Sequence, residues 1–148
     1  MITVLMIEPG EHPCIALLKP TMQAFNLAVS IGADEIGQAE AKHIGPDVYM
    51  IYNTDLYFAG LDGNRKIGKD ILAGAIYVIG VNKRKVPRSL REDEIRMYMT
   101  RYWKPEFFSD TELLDANLDI FYQTLDDLEK LQTTNIYYNH EPLTAKCC

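Results

Sequence analysis

The chain has 148 residues, 47% of them apolar and 24% charged, with a formal net charge of −6 at neutral pH. That size and apolar content suit a core that holds without metal or disulfide, and no apolar run approaches the roughly 18–20 residues of a membrane span. The opening MITVLMIEPGE has neither a basic segment nor a small-residue cleavage site, so it reads as a first strand of a cytoplasmic protein, not a signal peptide.

Cysteine usage agrees with that placement. Cys14 stands alone and Cys147 and Cys148 are adjacent at the end of the sequence, with neither disulfide-framework spacing nor a prenylation box. The charge is unevenly distributed. Residues 1–62 hold two cations and eight anions, residues 63–104 eleven cations and four anions, and residues 105–132 one cation and eight anions.

In chain order, residues 2–8 (ITVLMIE) are β-forming and EPG closes them as a turn. A short strand follows near 13–18. Pro20 and Thr21 open a helix whose apolar face is Met22, Phe25, Leu27 and Ala28, with Gly32 as its stop. Period-two patterning then dominates. PDVYMIYN is strongly β, TDLYFAG is its expected hairpin partner, and ILAGAIYVIGVN reads as one central strand after the turn GLDGNRKIGKD. Ser89 and Glu92 form an S-x-x-E capping box for a helix reaching about Trp103, where Pro105 blocks continuation. Ser109 and Glu112 repeat the box. Leu114, Leu118, Phe121, Leu125 and Leu128 then step by four and three residues, a stripe suited to packing on its own domain or to a homo-oligomer. The expected fold is α+β: a mostly antiparallel sheet covered by one helix, followed by two C-terminal helices. Residues 1–104 form the core domain and 105–148 an acidic helical extension with a frayed tail.

The chemistry-bearing stretch is GLDGNRKIGKDILAG, residues 60–74. Gly63 to Asp70 matches the P-loop spacing G-x-x-x-x-G-K-[ST] except that Asp70 replaces the hydroxyl that coordinates magnesium. A β-forming run follows where a P-loop needs a helix N-terminus, which excludes the NTPase reading. Two readings remain. In one, Gly63, Asn64, Arg65, Lys66 and Lys69, with Asn53 nearby, hold phosphate, and Tyr57 or Tyr77 stacks a base. In the other, the stretch is a structural hairpin with Asn64 in a left-handed turn and Arg65 paired to Asp55, Asp62 or Asp70.

A second basic element, NKRKVPRSLREDEIRMYMTRYW, interleaves arginines with Tyr98, Tyr102 and Trp103, either to stack bases or as a solvated helix face. Double-stranded DNA is disfavoured by the acidic flanks. His12, His43 and His140 are scattered and no catalytic motif occurs, so neither a catalytic set nor a metal or cofactor site is assigned.

The order of these motifs, EPG after the first strand, IYN, GLDGNRKIGKDILAGAIYVIG, then SL and DEI, resembles a small domain-of-unknown-function family of bacteriophages, plasmids and other mobile elements. The resemblance covers roughly residues 1–100 and brings no activity or catalytic residue. It implies a non-enzymatic accessory protein of a mobile element in a bacterial host. Two functions fit that context. One is capture of a small phosphorylated ligand, such as a nucleotide signal of host defence. The other is inhibition or adaptation of a host defence protein through the acidic C-terminal helix.

Overall fold

Alternation along ITVLMI sends Ile2 and Val4 to one side of the first strand and Leu5 and Ile7 to the other, and all four are buried. The strand is therefore covered on both faces, and the rest of the fold supplies the two covers. The computed structural model describes residues 1–55 and 60–116. Its main sheet runs in the order β2 (Cys14–Leu18), β1 (Ile2–Ile7), β7 (Ile76–Val81), β4 (Val48–Asn53) and β3 (Ala39–Gly45), with every neighbouring pair antiparallel. The two-residue β8 (Pro87–Arg88) continues the edge of β7 beyond β1. Every residue of β7 is buried, as the apolar run IYVIGV requires of a strand with neighbours on both edges and cover on both faces. The chain is α+β, as its patterning predicts.

One face is covered by α1 (Met22–Val29), which Thr21 caps by accepting from the Ala24 amide at 3.2 Å. Phe25, Ala28 and Val29 pack there on Val4, Ile51, Tyr77 and Ile79. The predicted apolar face of this helix is corrected: Met22 and Leu27 point to solvent, and Val29 takes their place. The other face is covered by α2 (Glu92–Arg101) and by the hairpin of β5 (Gly63–Ile67) and β6 (Asp70–Ala73). Ile67, Leu72, Leu90 and Tyr98 meet Leu5, Ile7, Met50 and Val78 there. The far side of the hairpin carries Ile71 and Ala73, against which α3 (Asp110–Ala116) packs Leu113.

Two further expectations are revised. ILAGAIYVIGVN is two strands, split at Gly74, whose φ of +75° lets the chain leave the hairpin layer and enter the main sheet. The hairpin partner of β4 is β3, through Pro46 and Asp47, and Leu56–Ala59 of the expected partner lie outside the described residues.

The cap of α2 also moves. Ser89 instead accepts from the Thr3 amide at 2.9 Å, while Glu94 accepts from the Arg91 amide at 2.8 Å and so forms half of a box two residues later. The Ser109–Glu112 box forms as predicted, each side chain accepting from the other residue's amide. Of the leucine stripe, Leu114 is half-buried in α3, and Leu118, Phe121, Leu125 and Leu128 lie outside the described residues.

Candidate functional site

The residues expected to gather around phosphate are dispersed. Asn53 is buried under α1, donating to the Val29 carbonyl and the Ser30 hydroxyl at 3.3 Å and accepting from the Asp55 amide at 2.8 Å. Tyr77 is buried on the same face, its hydroxyl donating to the Ala28 carbonyl at 3.1 Å. Burial first, and then the charge of Glu8, push its pKa up to about 12. Asn64 and Arg65 lie elsewhere, between the hairpin and the main sheet. Lys66 and Lys69 are exposed on the hairpin, Gly63 is half-buried beneath Phe108, and Tyr57 lies outside the described residues.

Arg65 is 0% exposed and uses its entire fork internally. Nε donates to the Tyr102 carbonyl at 3.2 Å. Nη1 donates to the backbone and side-chain oxygens of Asn64 at 3.2 and 2.9 Å, and Nη2 to the carbonyls of Glu11 and Tyr102 at 2.6 and 3.1 Å. A guanidinium has five N–H donors, and five bonds are made. Burial pulls its pKa below the ordinary guanidinium value, against the raising effect of Glu106. Asn64 in turn donates to the carbonyls of Ile7 and Gly74, both at 2.7 Å. The structural reading of the stretch is thus also revised in detail. Arg65 pairs with carbonyls rather than Asp55, Asp62 or Asp70, Asn64 sits in a strand, and the tight turn falls at Gly68 with φ +63°. No helix follows Lys69, so the P-loop geometry is absent here.

In the second basic element Arg88 is committed internally, while Lys83, Arg84, Lys85, Arg91, Arg96 and Arg101 are exposed. Arg88 crosses over Gly80, where a Cβ would overlap its guanidinium, to form a two-pronged ion pair with the buried Glu94 at 2.8 and 3.0 Å. That pairing, followed by the Arg91 amide, holds the Glu94 carboxyl below its ordinary range despite burial. Tyr98 is fully buried with Tyr102 stacked beside it, and Arg101 lies 5.0 Å over the Tyr98 ring.

What Arg65 builds is a surface. By gripping Glu11 and Tyr102 together it fixes the loop after β1 against the end of α2. His12 then donates from Nδ1 to the Trp103 carbonyl at 2.6 Å and stacks on the indole, ring centres 4.1 Å apart and 12° from parallel. Trp103 remains 49% exposed and Phe107, beside Gly10, 80% exposed. On the other side of this loop is an open cleft of about 300 Å³ lined by Glu8, Glu11 and Asp62, with Ile31, Leu61 and Gly74 as its apolar and backbone wall. Leu61 also packs on Leu113, which brings α3, with Asp110, Glu112 and Asp115 exposed, to the same side of the molecule.

Three carboxylates with no cation among the cleft residues favour a positively charged guest and repel phosphate. Sequence reasoning passed over EPGEH because a Glu-Pro-Gly turn is an ordinary strand terminator. The available signal was two carboxylates and a histidine within five residues of a turn. Among the described residues no three His, Cys, Asp or Glu side chains are grouped to hold a metal ion, and no helix is long and apolar enough to cross a membrane. No family model, curated protein or solved structure matches this chain.

Proposed function

We propose that this protein is a non-enzymatic adaptor or inhibitor that docks a basic segment of a partner protein onto its acidic cleft. Glu8, Glu11 and Asp62 receive the cationic side chains, Trp103 and Phe107 supply the apolar contacts, and the acidic face of α3 extends the field. The observation that carries this reading is the cleft itself: carboxylates line it while the adjacent arginine is sealed beneath the surface. Half-exposed aromatics beside a charged rim are the usual anatomy of a protein-binding patch, and opposite charge sets orientation and association rate. An accessory role against a host protein, in keeping with the mobile-element resemblance, needs nothing more. A phosphorylated ligand would have only Lys66 and Lys69 as exposed cations from the predicted set.

Trp103 is the only tryptophan in the sequence, so its fluorescence reports directly on the patch. The full chain is titrated with a 15-residue Arg/Lys-rich peptide, with an acidic peptide of equal length as control. A saturable change with the basic peptide, weakened by salt and lost in Glu8→Lys/Asp62→Lys but kept in the remote Asp93→Lys, is the expected result. No response to the basic peptide, together with a nucleotide that raises the melting temperature, would overturn the proposal in favour of an anionic ligand.

A further inference from the structure

His12 sits where the chain is anchored on both sides of it. Before it, the Glu11 amide closes the turn onto the Glu8 carbonyl at 3.1 Å, and the Glu11 carbonyl is held by Arg65. After it, Pro13 is buried and restricts the His12 backbone to extended conformations. Opposite, Arg65 grips the Tyr102 carbonyl, so Trp103 follows directly on an anchored group. What is left to move is the side chain, and the exposed imidazole covers one face of the indole. Among the described residues its contacts are the Trp103 carbonyl and ring, and it has no ion pair.

We propose, resting on the docking role of the cleft, that His12 is a pH-sensitive gate on the patch: the neutral ring leaves the indole when a partner docks, and the imidazolium stays on it. A neutral imidazole carries one N–H, and only the tautomer with it on Nδ1 makes the bond to the Trp103 carbonyl. Protonation places a hydrogen on both nitrogens and adds charge to that bond, which strengthens it. It also converts the stack into a cation–π contact, for which tryptophan is the best ring. Each change holds His12 in place.

The same proton alters the field of the cleft. The charged groups on the elements around His12 are Glu8 and Glu11 on its own turn, Arg65 in the hairpin, and Arg101, Lys104 and Glu106 at the end of α2 and just beyond it, with Asp62 across the cleft and the phenol of Tyr102 as a further titratable group. Arg65 is spent on carbonyls, so an imidazolium is a new cation beside Glu11, where a basic guest is received. Acidification therefore acts twice against docking: it keeps one face of the indole covered, and it repels a cationic side chain. The gate closes as pH falls through the range in which histidine gains its proton, between about 8 and 5.

The test uses the full chain, whose single tryptophan is Trp103. An imidazolium stacked on an indole quenches its emission. From about pH 8 to about pH 5 the emission of the free protein should fall, and its quenching by acrylamide should weaken because the covered face is held. His12→Gln, which keeps a donor but neither stacks nor gains charge, is expected to remove both changes. His43→Gln, at the ring beside Tyr49, should remove neither. Over the same range the wild type should lose roughly fivefold in affinity for the basic peptide, and His12→Gln less. Identical emission and acrylamide curves for wild type and His12→Gln would overturn the gate, and so would an equal loss of affinity in both. A peptide that binds at no pH would sink the docking reading instead, and the free-protein curves would still decide the gate.

Discussion

The backbone carbonyl of Tyr102 accepts two hydrogen bonds from Arg65, one from Nε and one from Nη2. Tyr102 is the C-cap of α2, where unpaired carbonyls give a helix end partial negative charge, and the guanidinium neutralises it from inside the protein. With Glu11 as the third element, one side chain joins the hairpin, the loop after β1 and the end of the helix.

Replacing Arg65 is therefore expected to destabilise the whole fold. Arg65→Met should cost roughly 3–5 kcal/mol, because the carbonyls of Glu11 and Tyr102 and the amide oxygen of Asn64 lose their donor in the interior. Arg65→Lys should recover only part of this, since an ammonium has three donors and no planar fork. Urea unfolding followed by circular dichroism measures both. A loss under 1 kcal/mol for the methionine variant would contradict the account.

Stability should fall at both ends of the pH scale. The Glu94 carboxyl is held below its ordinary value of 4.5 by Arg88, so its contribution is present above that value and lost as pH drops through the depressed one. Glu94→Gln should lower stability at pH 7 by about 2 kcal/mol and flatten the acid limb of a stability–pH profile. At the alkaline end, Tyr52 and Tyr77 are both raised from 10.0 to about 12, mainly by burial. The unfolded chain ionises first, so stability is intact below pH 10.0 and declines toward about 12. Tyr77→Phe should remove part of that decline, at the cost of the bond to Ala28.

Tyr98 and Gly45 form a coupled pair. The buried Tyr98 hydroxyl has no hydrogen-bond partner among the described residues, and it occupies the space where a Cβ on Gly45 would be. Tyr98→Phe is expected to leave stability unchanged or raise it by up to about 1 kcal/mol, since an unsatisfied polar group is removed. Gly45→Ala should destabilise the wild type, and by about 1 kcal/mol less in the Tyr98→Phe background. Additive effects in a double-mutant cycle would show that the two residues do not compete for the same space.

Gly74 is constrained twice, by its φ of +75° and by Leu61 Cδ1, which would lie 2.6 Å from an added Cβ. Gly74→Ala should cost at least about 1–2 kcal/mol from the left-handed backbone alone. Thermal melting checks this, and the same change at Gly68, where an added Cβ meets nothing, isolates the backbone contribution.

Phe107→Ser tests the patch rather than the fold. At its exposure, stability should change by less than about 0.5 kcal/mol, whereas affinity for the basic peptide should fall at least about fivefold. Equal affinity for both proteins would remove Phe107 from the interface.

The elements were legible wherever one physical pattern dominated: a β-branched apolar run in β1, period-two patterning in β4, a threonine opening α1, a Ser/Glu box on α3. They were misread where two patterns overlapped. ILAGAIYVIGVN is apolar throughout, and only the backbone of Gly74 marks the change of layer. REDE offers glutamates at 92 and 94, and the choice falls to Glu94 because Arg88, laid along β7 with its Nε on the Val81 carbonyl, is there to pair with it. The phosphate reading of Arg65 was harder to avoid. The same fork binds a phosphate or a set of carbonyls, and the sequence does not state which oxygen atoms will be present. The cleft was invisible because it draws Glu8 and Glu11 from one turn and Asp62 from a segment some fifty residues away.

The main sheet also sets an order of events in folding. β1 pairs with β7, about seventy residues later, and Thr3 exchanges hydrogen bonds with Ser89 and Leu90. Until those partners have been synthesised, the first strand has only β2 beside it, and a two-stranded hairpin alone is marginal in water. Such distant pairings slow folding and keep apolar strands exposed meanwhile. The sheet around β1 is therefore completed only when β7 and Leu90 have been made, and the nascent chain emerging from the ribosome is the stage at which this protein most needs protection from aggregation.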